Sequence, residues 1–280
     1  MIKKLTPVIE WGTLLLTTGT VCFFLVAILW DLVSKGAPSL SWEFVSSIPR
    51  EGMTKGGILP AITGTILLTL ITAAAAVPFG VSCAVYLNEY ATDSALNRLI
   101  RASIRNLAGV PSIIYGLFGL ALFVQALQMG TSLLAAGLTL GLLSLPYIIT
   151  TTEEALRRIP ASTREGALAI GATQFESIRD VVMPSALPGI LTGVVLSLSR
   201  AAGETAPILF TGVAFYINSP TGSLNQEFMA LPYHLYMLST QHHAIEEVRP
   251  LAYSTALVLI IVVFLLNLTA FYIRYKHSKK

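Results

Sequence analysis

Arg200 and Glu204 stand four residues apart in a stretch, Ser185 to Gly212, that carries no other charge. On a helix that spacing puts two side chains on one face, within reach of each other. A charge near the middle of a bilayer costs about 2.5–3.5 kcal/mol on insertion scales. A pair kept there is either a self-neutralising structural ion pair or part of a polar route. Arginine suits the second task, because its planar guanidinium stays charged and matches the oxygens of a tetrahedral oxyanion two at a time. Glutamate would hold it neutral and aimed while no anion is present. The spacing allows both readings.

A second polar region lies just before that stretch. Ser162-x-x-Glu165 follows Pro160, and Thr173-x-x-Glu176 follows Gly171. Each fits a helix N-terminal capping box, and Gly171 is a natural helix stop. The pattern predicts a short helix, a glycine turn, and a second helix through Phe175, Ile178 and Val182 that ends at Pro184. Small residues (Ala167, Ala169, Ala172) beside Arg164 and Glu165 would let the first helix sink into a partner's groove. On local physics alone, a rigid connector is the other reading.

The elements that carry these residues are membrane spans. Of 280 residues, 54% are hydrophobic and 12% charged, with mean hydropathy +0.71. Soluble domains carry about 25% charged residues, so little of this chain faces water. A spanning helix needs about 20 mostly apolar residues. Charge-poor stretches place six: Trp11–Trp30, Gly56–Asn88, two within Asn106–Thr152 divided near Gln125–Ser132, Ser185 to about Gly212, and Pro250–Ile273. The chain is thus read as an all-α polytopic membrane protein. Lys3 and Lys4 precede an apolar run longer than a signal-peptide core, with no small-residue cleavage site after it, which favours an uncleaved span.

Six spans leave both termini on one side. Thirteen of the 18 Lys and Arg fall on that side and four opposite, with Arg200 inside a span. The positive-inside rule makes the termini and the loops near 89–106 and 153–184 cytoplasmic, and the loops near 31–57 and 213–249 external. Arg98, Arg101 and Arg105 share a helical face that reads as an interfacial helix on anionic lipid, with contact to a partner subunit as the alternative. Cys22 and Cys83 sit in apolar runs as small hydrophobes. Gly137-x3-Gly141 and Gly189-x3-Gly193 could permit close helix approach. A net charge of +3 gives no reason to expect nucleic acid.

The loop also has a family spacing. Glu165-Gly166-Ala167, three residues, Gly171, nine residues, then Val181-x-Met183-Pro184 resembles the Glu-Ala-Ala loop of ABC-importer permeases, with conservative departures at Gly166, Val181 and Met183. Glycine at 166 in place of alanine loosens a helix by about 1 kcal/mol. Ser199-Arg200-Ala201-Ala202-Gly203-Glu204-Thr205-Ala206-Pro207 and Ala108-Gly109-Val110-Pro111-Ser112-Ile113-Ile114-Tyr115-Gly116 resemble segments of the A-type permease of high-affinity phosphate importers. The resemblance implies a type I ABC importer permease fold in a bacterial inner membrane. It divides the chain into an N-terminal helix and outer loop (1–57), a permease core (58–273, with the coupling loop at about 162–184) and a basic tail (274–280). By the same resemblance Arg200 and Glu204 line the phosphate path, while Glu165, Gly166, Ala167, Gly171, Val181, Met183 and Pro184 couple to an ATPase. The implied partners are a related C-type permease, two ATP-binding subunits, an external phosphate-binding protein and membrane lipid. No cofactor is expected on this chain, since it has no G-x-x-x-x-G-K-[ST] run. ATP and magnesium would sit on the partner, and the chain itself would not be an enzyme.

The outer loop contains His234, His242, His243, Glu246 and Glu247 without a spacing that fixes a metal site, and no metal is expected. Met229–Met237 reads as an amphipathic surface helix. Two rivals remain. One is a permease for another oxyanion such as molybdate or sulfate. The other is a secondary transporter, which would have no reason to carry the coupling pattern.

Overall fold

A computed structural model describes residues 2–217, 219 and 222–278. Met1, Lys279, Lys280 and the side chains of Lys3, Lys4, Arg274 and Lys276 lie outside the described residues. Five helices are long and apolar enough to cross a membrane, or six segments where the bent pair Ala95–Leu107 and Ser112–Ala126 counts as one span, against the six that the charge-poor stretches predict.

The long helices are α1 (Ile2–Gly36), α2 (Leu59–Val85), α3 (Ala95–Leu107), α4 (Ser112–Gly119) and α5 (Leu133–Arg157). After α5 come α6 (Ala161–Ala169), α7 (Met183–Ala202), the single turn α8 (Ala206–Leu209), α9 (Leu231–Thr240) and α10 (Ile245–Ser278). A two-residue hairpin pairs Pro49–Arg50 with Lys55–Gly56, antiparallel. Helix α10 continues unbroken into the basic tail as far as Ser278.

The core is built around α5, whose most apolar stretch is 67% buried, whereas none of the corresponding stretch of α1 is covered by this chain. Without a hydrophobic drive between helices in lipid, small residues decide where backbones meet. Gly137 and Gly141 of α5 lie against Ile71 and Ala75 of α2, and Gly189 and Gly193 of α7 lie against Ala155 and Thr151 of α5. A Cβ at Gly189 would come within 2.8 Å of the Ala155 methyl, and one at Gly193 would collide with the Thr151 side chain. Both small-residue repeats therefore set helix crossings.

The third span is where the structure departs most from a simple rod. The α3 axis meets the following helix at 102°. The upright part has only the eight residues of α4 and a seven-residue π turn, Leu120–Ala126. At about 1.5 Å per residue that is shorter than a bilayer core. Two tyrosine hydroxyls serve the bend: Tyr115 donates to Leu107 O (3.0 Å) and Tyr147, from α5, donates to Ala108 O (2.9 Å). They satisfy carbonyls at the end of α3 that have no intrahelical partner. Helix α3 is not simply a lipid-facing cylinder. Arg101 turns inward to Glu153 of α5 (3.1 Å) and to the Leu87 carbonyl, while Arg98 pairs with Asp93 at the surface (2.9 Å).

The outer segment is more deeply packed than its sequence suggests. Gln226 O and Leu224 O accept from the Leu133 and Leu134 amides (both 2.9 Å), covering the start of α5. Thr65 Oγ1 accepts from Leu231 N–H (2.8 Å). Leu231, His234 and Leu238 are buried, so the helix read as amphipathic and surface-lying is a core element. Burial holds His234 neutral, with its pKa lowered to about 4. His242 Nδ1 accepts from Ala244 N–H (3.1 Å), so Nε2 carries the proton and donates to Gly52 O (2.7 Å), tying the hairpin down. Among the described residues no His, Cys, Asp and Glu cluster has a metal-binding arrangement.

Candidate functional site

Helix α7 ends at Ala202, with Gly203 as its cap. Glu204 therefore lies in a break, one residue before Thr205 and the short α8 turn, and not inside an unbroken span. The pair still forms: Arg200 Nε stands 3.4 Å from Glu204 Oε1. The chain turns tightly at the break through Gly203 N–H to Arg200 O (3.0 Å) and Glu204 N–H to Ala201 O (3.2 Å), which brings the carboxylate back over the last helical turn. The Arg200 side chain is 49% exposed and that of Glu204 17%.

A third member was not evident from the sequence. The Arg200 guanidinium carbon lies 4.5 Å from the centre of the Tyr147 ring, a cation–π contact. Tyr147 is itself fixed by its bond to Ala108 O at the α3–α4 bend. The guanidinium is thus held between a ring on α5 and a carboxylate on the break after α7. Such an arrangement can bind an oxyanion through the uncovered edge of the arginine. In the sequence, a tyrosine within an apolar span looks like core.

The loop at the basic end is ordered differently from its sequence pattern in two places. Pro160, with φ −59° and ψ 144°, caps α6, so Ser162 already lies inside the helix and the first capping box does not form. The second does: Thr173 Oγ1 accepts from Glu176 N–H (3.3 Å) and the Glu176 carboxylate accepts from Thr173 N–H (2.8 Å). The following helix does not stop at Pro184. It runs from Gln174 through a π turn, Ser177–Val182, into α7 without a break. Pro184 falls just after that π turn, where the helix changes its hydrogen-bonding register. Gly171 has φ +94°. Its N–H bonds Leu168 O (3.0 Å) and the Ala172 N–H bonds Ala167 O (3.2 Å), the two bonds of a Schellman motif.

Glu165 and Gly166 are exposed on α6, Ala167 is buried, Val181 and Met183 are half-buried, and Pro184 is exposed. Ile170 is 87% exposed and Leu168 and Phe175 stand out beside it, an apolar rim around the turn. Arg164 does not point to that rim. Its Nε and Nη2 donate to both oxygens of Glu89 (2.9 and 2.7 Å), and its remaining contacts go to Ile159 O (2.8 Å) and Leu156 O (3.0 Å). The carboxylate raises the Arg164 pKa further, against the effect of burial. Glu89 is 75 residues away in sequence, and no local spacing could have identified it. The loop and the Arg200 pair lie at opposite ends of the helix that runs from Gln174 to Ala202.

Comparison with known proteins shows the family of the chain. The "Probable ABC transporter permease protein YqgI" of Bacillus subtilis is 30% identical over 281 residues, covering 96% of this chain and 95% of that protein. The phosphate transport system permease protein PstA of Xylella fastidiosa is 36% identical over 239 residues (85% and 82%), and PstA of Pasteurella multocida 34% identical over 249 residues (89% and 87%). In fold, the chain is similar to a bacterial ABC transporter involved in the import of the acidic polysaccharide alginate, with a TM-score of 0.68 at 13% identity over 95% of this chain and 96% of the other. It is also similar to the MetNI methionine ABC transporter in an inward-facing conformation (TM-score 0.64, 20% identity, 79% and 95%). Residues 76–280 match the profile of the binding-protein-dependent transport system inner membrane components. The chain is therefore a multi-pass membrane protein that belongs to that family, the permease subunits of ABC transporters.

Proposed function

We propose that this chain forms half of the path through which an ATP-driven importer moves inorganic phosphate. A related C-type permease would form the other half. Two ATP-binding subunits would dock on residues 162–184 from the cytoplasm, and an external phosphate-binding protein would deliver substrate. ATP and magnesium belong to the partner subunits, and this chain performs no hydrolysis. Both termini lie in the cytoplasm, in keeping with thirteen basic residues on that side against four.

The observation that carries the reading is the half-uncovered Arg200 guanidinium, held between the Tyr147 ring and Glu204 at a helix break. Identity of 34–36% to PstA relatives supports phosphate as the anion. A phosphate edge presents two oxygens much as a carboxylate does, so it can pair with the uncovered edge of the guanidinium. Glu204 beside it then repels the anion, which keeps binding weak enough for release. Movement of the docked ATP-binding subunits would be carried through the loop to the helices and open the path alternately to each side.

The test is uptake of radiolabelled phosphate by proteoliposomes holding the whole complex. ATP-dependent uptake that excess sulfate and molybdate do not suppress is the expected result. Uptake of sulfate or molybdate instead of phosphate would move the assignment to another oxyanion. Uptake by this chain and its sister permease without an ATP-binding subunit would make it a secondary transporter.

A further inference from the structure

We propose that Glu89 is a positioning residue that locks the coupling loop to the inner end of α2, so that movement imposed on the loop is delivered to the α2–α5 pair. The proposal rests on the coupling role given above to residues 162–184 and deepens it.

The joint gathers four pieces of chain on one carboxylate residue. Glu89 ends the helix begun by α2, in a π turn at Tyr86–Tyr90. Its side chain is 6% exposed and takes both prongs of Arg164 from α6. Arg164 also holds Leu156 O, in the last turn of α5, and Ile159 O just beyond it. The Glu89 carbonyl accepts from Gln174 Nε2 (2.8 Å), at the start of the helix that becomes α7. A bidentate arginine–carboxylate pair fixes orientation as well as distance. Helix α6 is thereby pinned to α2 and α5 at once.

The connection onward to α7 is of another kind. It passes through the π turn Ser177–Val182. Such turns occur mostly as single-turn distortions inside α-helices, frequently at functional sites. Loop and α2–α5 would move as one body. Arg164 is consumed by the joint, which leaves exposed Glu165 and the apolar rim around Gly171 for the partner.

The test uses the assembled transporter with E89Q, and with E89Q/R164Q, which removes both buried charges together and so avoids an unpaired one. Expected are normal copurification of the ATP-binding subunit, ATP hydrolysis within roughly twofold of the parent, and a drop of roughly tenfold in phosphate moved per ATP, within the usual range of site-to-site coupling. Spin labels at Phe79→Cys on α2 and Ala161→Cys at the start of α6, both exposed and placed in a background without Cys22 and Cys83, give a readout independent of substrate. Their separation should stay fixed on nucleotide trapping in the parent and shift in both variants. Unchanged phosphate per ATP, or an unchanged label separation, would overturn the proposal. So would failure of both variants to assemble, because the pair would then serve docking and not transmission. If the parent complex moves no phosphate, the substrate assignment fails while the label pair still decides the joint.

Discussion

Two arginine–glutamate pairs in this chain use the same side chains for opposite ends. Arg164 and Glu89 come from elements 75 residues apart, meet through two contacts of 2.7 and 2.9 Å, and are 23% and 6% exposed. Arg200 and Glu204 are four residues apart across the helix break, meet at 3.4 Å, and are 49% and 17% exposed. The first pair spends its arginine on protein: both carboxylate oxygens and two main-chain carbonyls. The second holds its arginine loosely, against a ring and one carboxylate oxygen, with an open edge. A guanidinium fully committed to its own chain is a joint, and one partly committed is available to a ligand.

The largest effect should come from the open pair. Arg200→Gln removes the charge proposed to receive the anion. Two charge-assisted hydrogen bonds at about 1.5–3 kcal/mol each predict a loss of phosphate uptake of roughly a hundredfold or more. The complex should still assemble, because among the described contacts Arg200 meets α5 only through Tyr147 and otherwise pairs with nearby Glu204. Failure to assemble would instead make it a structural residue like Arg164.

The clamped region should respond next, through assembly. Gly171 sits at φ +94° with open space around it, so its requirement is one of backbone conformation alone. Gly171→Ala should cost about 1–2 kcal/mol and reduce copurified ATP-binding subunit severalfold. Proline cannot adopt this φ, and Gly171→Pro should abolish copurification with the permease still inserted. Full copurification of Gly171→Pro would reduce the loop to a connector.

Tyr147 refines the comparison. Tyr147→Ala removes the ring under Arg200, worth about 0.5–2 kcal/mol, and should lower uptake severalfold. Tyr147→Phe keeps the ring and leaves Ala108 O without its donor, so uptake should stay closer to the parent while the bend loses about 1 kcal/mol. Equal uptake in the two variants would remove the ring from the site. Smallest of all is Thr173→Ala. N-cap threonine is worth about 1 kcal/mol, and the expected result is faster proteolysis of the loop with uptake nearly unchanged.

What could be read from the sequence was local. Thr173 and Glu176 are three residues apart, Gly171 needs no partner to be a turn, and each glycine repeat lies on one face of its own helix. All three stand in the structure as the spacing predicts. The failures have specific causes. Ser162 has the right residue three positions on, but Pro160 starts the helix earlier. Pro184 is expected to end the helix, and here it falls just after a π segment through which the helix continues. The break at Gly203 was hidden because the apolar run continues to Gly212 on both sides of it. Met229–Met237 reads as an amphipathic surface helix, yet Thr65 and the outer loop cover it. Glu89 and Tyr147 depend on contacts 75 and 53 residues away in sequence, where no periodicity reports.

The most direct test of the difference between the two pairs is to neutralise the open one completely. Arg200→Gln with Glu204→Gln removes both charges and their desolvation cost together, a change that a purely structural pair tolerates. The measurement is ATP-dependent phosphate uptake by proteoliposomes holding the assembled double variant. Uptake reduced roughly a hundredfold, with ATP-binding subunits still present, is the predicted result. Near-normal uptake would show that the guanidinium does not meet the anion and would leave Arg200 and Glu204 a structural pair.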